Sequence, residues 1–367
     1  MKKSVARLAA LVAVAVLVGV AVRVLPVSCA VFASSARSEA PYPASPVIEA
    51  VAWDFDHVIR LAPGSDLWPL TWADDDHLYA AWGDGGGFGG ANRDGRVSLG
   101  VARIEGSAEN LVGTNVFGGK DPEAPAVFVG KSGGILCVNG ALYMIVCEQG
   151  KWLRAKIGRS LDHGSTWTFN GGGFADSAWD FAEPGGAFAG ACFLQFGRDY
   201  RGARDDFVYG YSERVRERIQ PDIVMFRVPK DRIMERAAYT FFAGLGPDGR
   251  PLWTEDVGAM RPVFSDPNGV TWGMQAVYHP ALRRYLLTVP RDRRGGWGIF
   301  DAPESWGPWT TVAYYDPWID HMFKFVFAFN QKWMSPDGRV AWMVFSGTGR
   351  YDAFNLIKAT LVPQGGR

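Results

Sequence analysis

The sequence predicts an all-β fold, specifically a five-bladed β-propeller of antiparallel meanders behind an N-terminal signal peptide. Three observations predict it. The 367 residues include 45 Gly, 15 Trp, 12 Tyr and 23 Phe, and glycine-rich turns between aromatic segments favour short strands over long helices. One strand pattern recurs five times. One hairpin motif characteristic of propeller blades is present. Thirty-eight basic residues balance 38 acidic ones, which leaves no electrostatic footprint for nucleic acid. A hydrophobic content of 48% with 21% charged residues is a globular balance.

The N-terminus reads as an export signal. Lys2, Lys3 and Arg7 precede an uncharged apolar run from Leu8 to Val22, which is short for a bilayer span of about 20 residues. Val31-Phe32-Ala33 offers a small-residue cleavage site. Residues 1–33 are therefore expected to be a signal peptide, 34–48 a linker rich in Ser, Ala and Pro, and 49–363 the propeller. An uncleaved anchor is a rival reading, as is a lipoprotein attached through Cys29, although Pro26 stands where that motif favours Leu. All three place the folded part outside the cytoplasm, secreted or in the cell envelope, and cleavage of the signal leaves no stable membrane span. Cys137, Cys147 and Cys192 remain after cleavage. Their odd number and spacing suit buried small hydrophobes better than a disulfide framework.

Five apolar segments begin at Leu78, Leu142, Phe207, Tyr285 and Ala341, at intervals of 56–78 residues. Each is preceded by another apolar strand (70–73, 135–138, 191–196, 274–278, 325–329). Each is followed by a third (97–104, 155–160, 222–228, 298–301, 356–361). Turn signals such as Asn139-Gly140 and Pro336-Asp337-Gly338 separate them. A lone meander cannot bury both faces, whereas five around an axis bury each face against a neighbour. The segment 50–61 is expected to supply a strand that helps close the ring. Ser160-Leu161-Asp162-His163-Gly164-Ser165-Thr166-Trp167 fits the Asp-box pattern. In that motif the Asp caps its own turn and the Trp anchors the hairpin, a folding role.

The first repeat carries the strongest chemical candidates. Asp66 and Asp84 flank a hairpin whose turn is Asp74-Asp75-Asp76. A three-residue loop there makes the two carboxylates direct cross-strand partners, with Cβ atoms about 5 Å apart. A two-residue loop turns one of them away. Opposed carboxylates resist double ionisation, which divides them into an acid and a nucleophile. Carboxyl groups about 5–5.5 Å apart suit a retaining glycosidase. Trp68, Trp72 and Trp82 could stack on sugar faces; the competing reading makes them core and the aspartates turn caps. The three-aspartate run reads as a solvated turn. Glu148 follows the second strand of the second repeat as Asp84 does in the first, so it is a candidate for the same mouth. Asn268, Trp272 and Gln275 enter an inner strand, and Lys332 and Trp333 leave one; all five are candidates to line the cleft. The five histidines lack paired zinc spacing, and no cofactor is expected. Phe226-Arg227-Val228-Pro229 resembles a sialidase run but stands in the third repeat, where that family does not place it.

The stretch Asp66-Leu67-Trp68-Pro69, with Trp72 and Trp82-Gly83-Asp84-Gly85, resembles a bacterial family of secreted five-bladed propellers long catalogued as a domain of unknown function. Tyr200-Arg201-Gly202, Arg261-Pro262-Val263-Phe264, Asp266-Pro267-Asn268-Gly269-Val270, the run Lys332 to Gly338 and the run Tyr351 to Leu356 are similar too. The resemblance spans residues 53–362. Some members are endo-D-arabinanases acting on mycobacterial cell-wall arabinan. The resemblance implies a retaining glycoside hydrolase with Asp66 as acid/base and Asp84 as nucleophile. It also implies a polysaccharide partner of arabinogalactan or lipoarabinomannan type. Two alternatives stay open: a non-catalytic sugar-binding propeller at the cell surface, and an inverting furanosidase in which Glu148 is a third carboxylate.

Overall fold

A computed structural model describes residues 40–89, 97–118, 129–216, 219–291 and 295–365. The expected signal peptide and residues 34–39 of the expected linker lie outside these residues. The described chain is all-β, organised as five four-stranded antiparallel meanders. Meander I comprises Asp66–Trp72, Leu78–Gly83, Leu99–Glu105 and Val112–Phe117. Meander II comprises Gly130–Val138, Ala141–Glu148, Ala155–Ser160 and Thr168–Phe169. Meander III comprises Cys192–Gln195, Phe207–Glu213, Gln220–Pro229 and Thr240–Leu245, with Pro251–Thr254 added outside. Meander IV comprises Gln275–His279, Arg284–Pro290, Trp297–Ala302 and Thr310–Tyr315. Meander V comprises Lys324–Met334, Val340–Gly347 and Phe354–Pro363, and its fourth strand is Ile48–Trp53 from the start of the domain. Ile59–Leu61 pairs with the same Phe354–Pro363 strand, so the segment expected to supply one closing strand contributes two, both to meander V.

The second strands are nearly continuous apolar runs because both their faces are covered. Leu78–Gly83 and Arg284–Pro290 are buried along their whole length. The turns behave as their residues dictate. Asn139 and Gly140 take φ of 51° and 76° between the paired Val138 and Ala141, the two-residue turn that matches strand twist. In the Asp-box, Asp162 Oδ1 accepts from Thr166 N at 2.9 Å, Asp162 Oδ2 accepts from Thr166 Oγ1 at 2.6 Å, and Trp167 Nε1 donates to Gly164 O at 2.9 Å. The three cysteines are buried and unbridged, as expected. Burial pushes the Cys147 thiol up to about 11.

Neighbouring meanders are linked in a cycle by specific bonds at or beside their first strands. Cys137 N donates to Thr71 Oγ1 at 3.0 Å, linking II to I. Gln195 Nε2 donates to Ile135 O at 2.9 Å, linking III to II. Leu194 and Gln195 pair in parallel with Ala276 and Val277, joining III to IV. Val326 N donates to Gly273 O at 3.0 Å between V and IV. Lys332 Nζ donates to Asp76 O at 2.6 Å, which brings V back to I. Trp68, Phe325 and Phe354 share one apolar cluster across that last junction. Among the described residues no helix is long and apolar enough to cross a membrane.

Candidate active site

The first strand of meander I begins regularly at its turn. Trp72 pairs with Leu78, Thr71 with Tyr79 and Leu70 with Ala80, the register a loop over Asp74–Asp76 predicts. The ladder then slips by one residue between Leu70 and Leu67. Pro69 has no N–H to give, and Leu67 and Trp68 take φ of 73° and 68°, so the chain bulges there. Asp66 consequently faces Gly83, not Asp84. The expected direct opposition of the two aspartates is thus corrected by one residue, and the proline bulge is the cause.

Both aspartates nevertheless stay at the same end of meander I. Asp84 follows the strand immediately, with φ of 54°, and its N–H donates to Ser98 O at 3.3 Å. Lys131, the second residue of meander II's first strand, reaches across. Its Nζ forms an ion pair with Asp84 Oδ1 and donates to Ser98 O at 2.8 Å. The lysine side chain is 17% exposed and that of Asp84 31%, so the pair is partly withdrawn from water. A Cβ on Gly83 would lie 2.8 Å from Lys131 Nζ and 3.0 Å from Asp66 Oδ1. The glycine therefore leaves room for three charged groups to converge. Ser65 Oγ accepts from Gly87 N at 2.8 Å and pins the glycine-rich loop beside the entering strand. Ser98 Oγ accepts from Gly130 N at 3.0 Å and lies 2.9 Å from Gln149 Oε1, fixing meander II against meander I at this end.

Glu148 ends the second strand of meander II opposite Gly130 and so lies at this same end. It is held by Arg154, whose Nε donates to Oε2 at 3.1 Å, and this hydrogen bond holds the Glu148 carboxyl below its ordinary range. Trp272 also lies at this end, half-buried against Phe325 with ring centroids 4.6 Å apart.

The remaining candidates are not brought here. Trp68 is fully buried, donates Nε1 to Ser65 O at 2.8 Å and packs on Phe88 and Phe354. It and the equally buried Trp82 are core, because the bulge turns the strand's indole inward, and neither is a sugar platform. Gln275 is buried, and its Nε2 donates to Gly133 O at 2.9 Å, bridging meanders IV and II. Trp72, Lys332 and Trp333 sit at the turn end of the first strands. Asp66–Trp72 spans seven residues, and at about 3.3 Å per residue that end is roughly 20 Å away. There Lys332 Nζ stands 5.4 Å over the Trp72 ring, and the buried Trp333 lines a depression with Trp342 and Glu109. Asn268 lies on the outer side of meanders III and IV, where its Nδ2 donates to Tyr314 OH at 2.9 Å.

The three-aspartate turn is less solvated than its charge suggests. Tyr79 OH donates to Asp75 Oδ2 at 2.7 Å, and His163 Nε2 lies 2.9 Å from Asp74 Oδ1. Among the described residues these three, Asp74, Asp75 and His163, are the group whose donor atoms come close enough to share a metal ion. The hydrogen bonds from the histidine and the tyrosine already account for their arrangement.

Lys131 and Ser98 are the members that sequence reasoning missed. A signal for Lys131 did exist: aligning Leu70–Ala73 with Ile135–Val138 puts Lys131 at the repeat position of Asp66.

No family model and no curated protein matches this chain. Solved structures do. A protein from Bacteroides ovatus with a provisional hydrolase assignment aligns over 84% of this chain and 90% of its own, at 11% identity and a TM-score of 0.50. The RS223 β-xylosidase aligns over 84% and 98%, at 11% identity and 0.49. A GH62 hydrolase solved with xylotriose aligns over 88% and 99%, at 10% identity and 0.45. At such identities the first likeness speaks for the fold, and the other two, below 0.5, carry no weight.

Proposed function

We propose that this protein is a secreted retaining glycoside hydrolase on a five-bladed β-propeller, acting within chains of a furanose polymer, with cell-wall D-arabinan as substrate. The observation that carries the reading is the convergence of Asp66, Asp84 and Lys131 around Gly83 at one end of the first meander. The cyclic linkage of the five meanders supports the propeller assignment, and the fold likeness to the Bacteroides ovatus protein is in keeping with it.

In this mechanism Asp84 attacks the anomeric carbon while Asp66 protonates the departing glycosidic oxygen. Water then releases the sugar, with Asp66 acting as base. A cation beside a carboxylate favours its ionised form, and the Lys131 contact supplies one to Asp84, the state a nucleophile requires. Asp66 stands on the first strand itself, one bulge away from the buried Trp68, so its carboxyl is held by a rigid element. The half-buried Trp272 at the same end offers an apolar face to a sugar ring.

The test is incubation of the protein lacking residues 1–33 with purified arabinogalactan, followed by chromatography of released oligosaccharides and NMR of the first-formed anomer. Release with retention, lost in Asp84→Asn and Asp66→Asn, is the expected result. Equal release by wild type and both variants overturns the assignment, and an inverted anomer overturns the double-displacement course.

A further inference from the structure

We propose that a cleft between meanders III and IV binds the acidic group of an anionic saccharide. The cleft lies at the turn end of the first strands, remote from Asp66, and is independent of the hydrolase reading. Its volume is about 520 Å³, and Arg204, Arg227, Arg250, Trp253, Glu304 and Trp306 form its walls. Arg204 comes from the connection between the first two strands of meander III and Arg227 from that meander's third strand. Glu304 and Trp306 come from the turn between the last two strands of meander IV.

Three guanidiniums line the cleft with one carboxylate among them, that of Glu304, while Asp205 and Asp248 stand beside it. Arg204 uses its charge on Glu304, and Arg250 reaches Asp248 at 3.6 Å. Arg227 differs from both. Its guanidinium lies between two aromatic rings, 4.2 Å from the Phe207 centroid and 4.3 Å from that of Trp253. Its Nε donates to Thr240 Oγ1 at 3.2 Å, and among the described residues no carboxylate forms an ion pair with it. Burial pulls this guanidinium down from its ordinary value, against the opposing pull of Tyr209 and Asp205. Arg204 is likewise stacked, 5.1 Å from the Trp306 centroid. The Trp253 Nε1, shielded from solvent, meets no acceptor among the described residues.

Guanidiniums fixed on aromatic rings lose little freedom when they take up a carboxylate, and their fork geometry matches one. Half-buried indoles beside them supply flat apolar surface for the C–H face of a sugar ring. A neutral sugar would leave Arg227 with no carboxylate in direct contact, only the more distant charge of Asp205, and a bare anion would leave the indoles uncovered. A sugar acid satisfies both.

The probe is trigalacturonic acid, titrated calorimetrically at low ionic strength into Asp84→Asn protein, so that turnover plays no part. Maltotriose and inorganic phosphate serve as separate arms. Trigalacturonic acid should bind, with phosphate at least tenfold weaker and maltotriose undetectable. Arg227→Gln and Trp306→Ala should each weaken the acid at least tenfold. Arg250→Gln, at an exposed side chain, tests the charge requirement without touching the packing and should weaken it several-fold. Absence of trigalacturonate binding to folded protein overturns the proposal. So does binding indifferent to Arg227→Gln and Arg250→Gln, or phosphate binding as tight as that of the acid.

Discussion

Gly83 stands directly across the ladder from Asp66, and the space a side chain would need there is already occupied by the Asp66 carboxylate and the Lys131 ammonium. The atoms a new Cβ would meet, at 2.8–3.0 Å, are all on side chains, so they can yield without moving backbone. Gly83→Ala is therefore expected to cost about 1–2 kcal/mol in stability, at the mild end of overpacking. The displaced charges should cost far more in function, about tenfold or more in arabinan cleavage. Urea denaturation beside initial rates checks both. A variant with the wild-type rate would mean that chemistry does not occur at this point.

The ion pair between meanders I and II makes a second prediction. Lys131→Met removes the ammonium that pairs with a partly buried Asp84, and Asp84→Asn removes the carboxylate that pairs with Lys131. Each single change should destabilise by about 1–3 kcal/mol. The double variant should lose less than the sum, with a coupling of about 0.5–3 kcal/mol. Strict additivity in a denaturation cycle would show that the two groups do not interact in solution.

Trp68 and Trp72 share a strand but should respond very unequally to truncation. Trp68 has no exposed surface and joins the cluster that holds meander V against meander I. Trp68→Ala should cost about 3–5 kcal/mol, the range for large aromatic cavities. Trp72 is half-buried and bonds Asp76 at 2.9 Å through its indole N–H, so its loss should cost well under half of that. Thermal unfolding distinguishes them. Comparable losses would contradict the burial described here.

Much of this architecture was legible because its signals are local. Both faces of a second strand are covered, so Leu78–Gly83 or Val340–Gly347 announces itself as an apolar run, and Asn139-Gly140 announces the turn that ends its neighbour. The hairpin register was legible only as far as Leu70. Beyond it Pro69 and the left-handed Leu67 and Trp68 insert a bulge, and no alternation pattern encodes how many residues a bulge consumes. Lys131 was legible by repeat position but not by contact. Its proximity to Asp84 depends on how two meanders pack, not on spacing within either. Trp72 shares its strand with Asp66, and Lys332 and Trp333 leave an inner strand, but a strand has two ends, and a sequence pattern does not tell which of them is the mouth.

The last prediction concerns acid stability and rests on Asp320. Burial alone would raise this carboxyl, but hydrogen bonds from Lys324 at 2.6 Å, Tyr351 OH at 2.8 Å, Met322 N at 3.0 Å and Arg350 outweigh it and hold the group well below the usual carboxylate range. The ammonium of Lys324 is itself fully buried, so the loop before meander V is tied to its first strand through this one side chain. An unfolded Asp titrates near 3.9. A folded value below that means the carboxylate's contribution is complete above about pH 4 to 5 and is lost as pH falls through the folded value. Asp320→Asn should therefore be clearly less stable than wild type at pH 7, and the deficit should narrow steadily below pH 4, because there the carboxyl of the unfolded wild-type chain takes up a proton that the folded one does not. Urea denaturation of both proteins at pH 7 and at pH 3 measures the change. A deficit of the same size at both values would show that the bonds around Asp320 contribute through packing alone and not through its charge.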